Sequence, residues 1–270
     1  MDRILFVSDL DGTLLTNDKK LSEYTKKTIN KLIEKGMLFT FATARSYVTA
    51  SKVSEGIVPK IPFISFNGTF IVDSFTGEIL KANYFEKYEA EEISAELLKE
   101  GLHPLFFSHI NGVEKFLYDK DFITPEILRF LKDHENDKRE MPTEGLKITG
   151  NVFHFTCIDK KEKLEPLFEK YKNEFSCVLY KDMYSGDYWF EIQPKLATKG
   201  NGILQLKAML SCDRVICFGD GLNDTEMFLC ADESYAVENA HENLKKIASG
   251  IIGSNNDDGV AKWLTEFYRL

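Results

Sequence analysis

The sequence predicts an α/β fold: a parallel-sheet core interrupted by an inserted α+β domain. Two observations predict it. Short apolar runs alternate with amphipathic segments at both ends of the chain, the signature of strands crossing over through helices into a parallel sheet. Between them, from Tyr84 to Phe190, the alternation gives way to aromatic strands and hairpin signals. The expected division is therefore a discontinuous core of residues 1–83 and 191–270 around an insert at 84–190.

Arg3 to Val7 is an apolar run that stops at Ser8-Asp9, as a strand buried on both faces does. Ser22 caps a helix whose Tyr24, Thr28, Leu32 and Ile33 share a face, and Gly36 ends it. Met37 to Ala42 reads as a second strand, Ser46 to Glu55 as a second helix and Pro62 to Phe66 as a third strand. Phe70-Ile71-Val72 and Glu78-Ile79-Leu80 flank a turn at Thr76-Gly77, a hairpin pattern. The insert opens with a helix near residues 87–100, carrying Ile93, Leu97 and Leu98 and ended by Gly101, and continues with two strands about Asn111-Gly112, the dipeptide of a two-residue hairpin turn. His134 to Glu140 is a polar surface loop. After Gln193 the core pattern resumes: a helix from Thr198, a strand at Val215 to Phe218, a helix from Asn223.

With 34 Lys+Arg against 43 Asp+Glu, the net charge is −9, which disfavours broad nucleic-acid binding, a process driven by clustered cations. No apolar stretch approaches the roughly 20 residues that span a bilayer, so no membrane role is expected. Ile4 to Val7 is too short for a secretory signal, which needs roughly 7–15 apolar residues, and a cytoplasmic location is expected. The cysteines are five, without a C-x-x-C pair, and are read as reduced thiols. The histidines (His103, His109, His134, His154 and His241) lack metal-ligand spacing. Phe106, Phe107, Phe116, Tyr118, Tyr184, Tyr188 and Trp189 are expected in the core of the insert rather than in a pocket. Lys160 to Lys163 is expected to be a solvated helix start.

Chemistry concentrates where apolar runs end. Asp9 and Asp11, in Asp9-Leu10-Asp11-Gly12-Thr13, directly follow the first strand, and open parallel sheets carry their ligand sites at strand carboxyl ends. Such a pair can divide labour as nucleophile and general acid; an acidic turn is the competing reading. Gly219-Asp220-Gly221-Leu222-Asn223-Asp224 follows a second such strand. Two acidic loops can share one hard divalent cation, with Asp220 as ligand and Asp224 supporting it. Thr43-Ala44-Arg45-Ser46 opens a helix and can hold an anion there or simply cap it. Lys199 lies where the chain returns from the insert; by itself it is one lysine among many on the surface, but opposite a phosphate and several carboxylates its ammonium would offset charge.

These four stretches, in this order, resemble the motifs of haloacid dehalogenase-like hydrolases, and the long insertion between the second and third resembles the class IIB cap of Cof-type phosphatases on a Rossmann-like core. The resemblance implies a Mg²⁺-dependent phosphatase acting on a small phosphorylated metabolite such as a sugar phosphate. Asp9 would become an aspartyl phosphate, and Asp11 would protonate the leaving oxygen and then activate water. Mg²⁺ would be held by Asp9, the Asp11 carbonyl and Asp220, with Asp224 behind them. Phosphate would meet Thr43, Lys199, Asn223 and the N–H groups near Leu10 and Ala44; Arg45 and Asn67 are candidate substrate contacts, Asn67-Gly68 reading equally well as a plain turn before the hairpin. Relatives often carry Gly where Ala44 stands, which narrows the backbone's freedom. A phosphomutase on the same scaffold and a non-catalytic Mg²⁺-binding module are the alternatives, and retention of both Asp9 and Asp11 disfavours the second. Oligomeric state does not follow from the sequence.

Overall fold

The computed structural model describes residues 2–181 and 186–269. Strand β1 (Ile4–Ser8) ends at Asp9, and helix α1 (Glu23–Glu34) starts at Ser22, whose hydroxyl accepts from the Thr25 N–H. The buried face of α1 is Thr25, Ile29, Leu32 and Ile33, while Tyr24 is exposed. The expected face was thus rotated, because the i, i+4, i+7, i+8 set with the most apolar burial begins one residue later. Strand β2 (Leu38–Phe41), helix α2 (Tyr47–Val53, capped by Ser46) and strand β3 (Phe63–Ser65) follow, then the antiparallel pair β4 (Phe70–Val72) and β5 (Ile79–Ala82).

Next come α3 (Lys87–Lys99), β6 (Leu105–Ile110), β7 (Val113–Asp119), α4 (Pro125–Asp133), β8 (Glu140–Thr143), β9 (Asn151–Asp159), α5 (Lys161–Tyr171), β10 (Ser176–Lys181) and β11 (Tyr188–Gln193). The chain then runs through α6 (Lys199–Met209), β12 (Arg214–Gly219), α7 (Thr225–Cys230), β13 (Glu233–Val237), α8 (Glu242–Lys245), β14 (Gly250–Ile252) and α9 (Gly259–Phe267). Helix α7 was expected from Asn223; a single tight turn, Leu222–Asp224, precedes it.

Two compact units result, residues 1–82 with 196–270 and residues 83–195. The second closes at Lys195 rather than at Phe190 because β11 continues to Gln193.

In the first unit the sheet order is β14-β13-β12-β1-β2, every pair parallel. Strand β1 therefore lies between β2, which follows it closely in sequence, and β12, with Ile4 opposite Arg214. Leu5, Phe6 and Val7 are fully buried, as a strand covered on both faces requires. An isolated parallel bridge from Ala42 to Ile64 adds β3 at the β2 edge. Because all strand carboxyl ends point the same way, the loops after β1, β2, β3 and β12 share one edge.

In the second unit the order is β10-β11-β9-β6-β7-β8, antiparallel except for β7 with β8. Asn111 and Gly112 have φ of 51° and 79°, the left-handed pair that a tight hairpin needs. One sheet face packs Phe106, Leu117, Phe155, Cys157, Phe190 and Ile192 against Ile93 and Leu97 of α3 and Leu164 and Leu167 of α5. Phe116 and Tyr118 are buried; Trp189 packs with Tyr118, Ile127 and Ile158, and Phe107 is half-buried. Tyr184 lies outside the described residues. Lys160 occupies the N-cap of α5, and Lys163 bonds the Gly101 carbonyl and Asp159. The described cysteines are free thiols, and no helix among the described residues is long and apolar enough to cross a membrane.

Phe155 is fully buried between the rings of Phe85 and Phe106. Its replacement, F155A, should destabilise the second unit by about 3–5 kcal/mol, the cost of an aromatic cavity. Urea unfolding followed by near-UV circular dichroism measures this; a loss below about 1 kcal/mol would show that the site refills.

Candidate active site

Two loops at the carboxyl edge of the first unit's sheet, those after β1 and β12, converge on one buried ammonium. Helix α6 begins at Lys199 because Thr198 caps it, its hydroxyl accepting from the Asn201 N–H at 3.1 Å. The Thr198 carbonyl meets the Gly68 backbone so closely that a Cβ on Gly68 would lie 2.0 Å from it, and Gly68 has a φ of +100°. Only glycine fits there, and the close approach seats the first turn of α6 against the loop after β3.

Lys199 is 1% exposed, and its Nζ donates to Asp9 Oδ1 and to Asp224 Oδ1, each at 2.6 Å. Asp224 is fully buried, and its other oxygen accepts the N–H groups of Asp220 and Gly221 at 3.0 Å. It holds the lysine and shapes the loop after β12 at once. Asp9 is placed by its own N–H, which donates to the Phe218 carbonyl of β12 at 2.9 Å. Asp220 accepts from the Thr13 hydroxyl at 2.9 Å. Directly after Asp9 the chain makes a wide turn, Leu10–Leu14, closed by the Leu15 N–H on the Leu10 carbonyl at 2.8 Å. Gly12 has a φ of +76°, and a Cβ there would lie 2.3 Å from Asp220 Oδ2, so the turn packs directly onto that carboxylate.

The charges do not balance. Three carboxylates (Asp9, Asp220 and Asp224) have oxygens within 4.8 Å of one another, yet one ammonium serves them. Burial pushes the Asp9 carboxyl well above the usual range; Lys199 opposes this, and Asp224 and Asp220 reinforce it. Burial, then Asp224, pushes Asp220 up to about 6. Lys199 is the converse: burial alone would favour its neutral form, but Asp224 and Asp9 outweigh burial and hold it charged. Hard oxygen donors with excess negative charge are a donor set suited to a divalent cation such as Mg²⁺. Asp224, with both oxygens already engaged, fits a supporting place, and Asp9 and Asp220 fit a direct one.

The remaining expected residues form a second group. Asp11 is bound by Arg45 through both carboxylate oxygens, Nε at 2.6 Å and a terminal nitrogen at 2.5 Å. Arg45 was expected as a substrate contact; here its guanidinium fork is matched to a carboxylate of the chain itself. Thr43 is buried and its hydroxyl accepts from the Arg45 N–H at 3.1 Å; a hydroxyl that accepts still has its proton to donate. The N-terminus of α2 is capped by Ser46, which accepts from the Thr49 N–H. Ala44 is exposed and avoids the left-handed region, so its amide needs no glycine. Leu10 is fully buried. Asn67 and Asn223 meet side chain to side chain at 3.3 Å. The loops after β2 and β3 are zipped together, the Asn67 N–H donating to Thr43 and the Phe66 N–H to Arg45.

The reading of the sequence did not find the Thr13 bond to Asp220, although Thr13 stood inside the first motif. The Arg45 partner was equally hidden. The histidines take local roles: His241 caps α8, His103 stacks on Phe122, and His154 bonds Thr156.

Residues 6–264 match the haloacid dehalogenase-like hydrolase family. A Buchnera aphidicola protein named "Putative phosphatase" is 30% identical over 98% of each chain. The 5-amino-6-(5-phospho-D-ribitylamino)uracil phosphatase YitU of Bacillus subtilis is 26% identical, over 98% of each chain. A solved structure described as a subclass IIB sugar phosphatase of the same superfamily shares the fold with a TM-score of 0.74, covering 99% of this chain and 100% of its own at 19% identity.

Removing Asp224 leaves a buried ammonium with one partner and strips the acceptor from two N–H groups. D224A should therefore destabilise the first unit by about 3–5 kcal/mol, read as a fall in urea midpoint. An unchanged midpoint would show that Asp224 does not hold Lys199 in place.

Proposed function

The chain belongs to the haloacid dehalogenase-like hydrolases, and on that basis we propose that it is a phosphatase releasing inorganic phosphate from a small phosphorylated metabolite. The observation that carries the reading is the buried Lys199 ammonium between Asp9 and Asp224, at a strand edge where Asp9 also faces Asp220.

In this reading an Asp9 oxygen attacks phosphorus, and the bond from phosphorus to the leaving oxygen breaks with its electron pair. Asp11 gives that oxygen a proton, then takes one from a water that attacks the aspartyl phosphate, which returns Asp9 and frees phosphate. Asp9, Asp220 and the Asp11 carbonyl would hold Mg²⁺, which would neutralise charge on the phosphoryl oxygens. Lys199 contributes a fixed positive charge, and the Thr43 hydroxyl, the backbone N–H groups at Leu10 and Ala44 and the Asn223 side chain donate to phosphate. Asp11 meets the substrate only if Arg45 releases it or shares it.

A phosphorylated sugar or polyol is the proposed substrate class: YitU, by its name, acts on a phosphorylated ribityl compound, and the fold is shared with a sugar phosphatase. The residues with motif roles all lie in the first unit, which leaves the second, residues 84–190 in the main, to select the leaving group as a cap. A cytoplasmic location suits an enzyme of small metabolites.

D9N should abolish phosphate release while the protein stays folded. D11N should slow glycerol 3-phosphate by about 10²–10⁴-fold and p-nitrophenyl phosphate far less, since nitrophenolate leaves without a proton. Phosphate release measured on both substrates decides this, and equal losses in D11N would exclude it as the acid.

Metal binding should depend on pH. A carboxyl raised to about 6 binds more protons folded than unfolded between its ordinary pKa of about 4 and that value, so its contribution to metal-free stability falls as pH rises through this window. A cation competes with those protons. The rise in Tm on adding Mg²⁺ should accordingly be larger at pH 7.5 than at pH 5, and a pH-independent rise would place the ion elsewhere.

A further inference from the structure

Beyond the acids and the lysine, the turn that carries Asp11, Gly12 and Thr13 is held from outside by a pair of asparagines that no motif includes. We propose that Asn239 is a positioning residue that sets the Gly12 peptide, and through it the placement of Asp11. The inference rests on the phosphatase reading for Asp11.

The Gly12 carbonyl accepts from Asn239 Nδ2 at 2.7 Å. Asn239 is itself oriented, because its Oδ1 accepts from the Asn255 N–H at 3.0 Å. Asn255 is 2% exposed, and its side-chain amide donates to the Leu15 carbonyl at 2.9 Å and to Asn17 Oδ1 at 3.0 Å. The two residues thus grip both the middle and the end of the turn, from segments more than 220 residues away in sequence. The grip is anchored in turn: Asn17 donates its N–H to Asn256 Oδ1, and Asp258 accepts from the Ser22 and Thr25 hydroxyls at the start of α1.

The middle of the turn needs such a hold. Asp11 and Gly12 depart from helical backbone geometry, so the repeating hydrogen bonds of a helix do not fix their peptide planes. Asp11 is bound through its side chain by Arg45, and Thr13 through its hydroxyl by Asp220. The peptide joining Gly12 to Thr13 is fixed by Asn239. Asn239 is exposed, so its amide would be solvated in any state of the chain and burial gives no reason for it. What the bond sets is direction: the plane between the residue proposed as acid and base and the hydroxyl that orients Asp220.

The test uses the full chain as N239A and N239D. Aspartate keeps the acceptor for Asn255 but cannot donate to Gly12, so the two variants should behave alike. We expect kcat for glycerol 3-phosphate to fall about tenfold more than kcat for p-nitrophenyl phosphate, the signature of impaired proton delivery, with KM shifted by less than about twofold. Hydrogen–deuterium exchange across residues 10–17 should quicken in both variants, while Tm changes little. Wild-type behaviour of N239D in both measurements overturns the proposal, as do equal losses on the two substrates or unchanged exchange across 10–17. If the wild-type protein releases no phosphate from any substrate, the phosphatase reading fails, and the exchange measurement alone then decides whether Asn239 holds the turn.

Discussion

The rest of the site depends on the burial of one positive charge. An ammonium removed from water is tolerated only when opposite charges meet it in good geometry, and Lys199 has two, Asp9 and Asp224, at 2.6 Å each. The three groups arrive on separate segments: the end of β1, the start of α6 and the loop after β12. Each of those segments is therefore confined to the conformation that keeps the lysine paired. A lysine suits this place better than an arginine, because a compact ammonium can be shared by two carboxylates that approach from different directions, whereas a guanidinium fork is matched to one. Arg45 illustrates the contrast, with its fork spent on Asp11 alone.

The same arrangement overshoots. Pairing Lys199 takes two carboxylates, and Asp220 adds a third that no cation among the described residues bonds; its carboxylate accepts from the Thr13 hydroxyl and lies against Gly12. Burial raises the carboxyls of Asp9 and Asp220, and their acidic neighbours add to the rise. A site of this kind is poised to gain from a divalent cation, and the cation together with Lys199 would reverse the local sign and make an anionic group welcome. Asp224 is different in kind. Its three bonds, from the Lys199 ammonium and the N–H groups of Asp220 and Gly221, make it a piece of scaffolding that ties the start of α6 to the loop after β12.

How much could be read beforehand follows the range of the interactions. Ser22, Ser46 and Thr198 announce helix starts through bonds to residues three positions on, and Asn111-Gly112 announces its hairpin through its own backbone. These signals are local and were legible. The short strand β13 and the edge strand β14 were not, being held by partners rather than by pattern, and β8, which lies parallel to β7, has no local cue at all. The α1 face was misread at Tyr24 because a large aromatic outweighed a threonine in the count, although Thr25 is the residue whose hydroxyl has a partner inside. At the site, acidic residues at strand ends pointed to Asp9, Asp220 and Asp224, and the resemblance of the four stretches to a known family added Lys199; the fold brings the four together. The partners that set their orientation, Arg45 on Asp11, Thr13 on Asp220 and Asn239 on Gly12, depend on contacts between distant segments, and nothing in the neighbouring residues encodes them.

The position of β1 in its sheet has a consequence for how the chain is made. One neighbour, β2, emerges within about thirty residues, but the other is β12, whose first pairing residue is Arg214. A nascent chain thus carries an apolar central strand with one open edge while the whole second unit is being synthesised. Open edges of that kind are templates for unwanted pairing, and contacts of such sequence separation slow the closing of a sheet. The second unit has no such debt, since its strands pair only within residues 105–193. Order of synthesis thus favours a chain in which the second unit matures first and the first unit is sealed last, with Lys199 entering between its two carboxylates only as the final third of the protein leaves the ribosome.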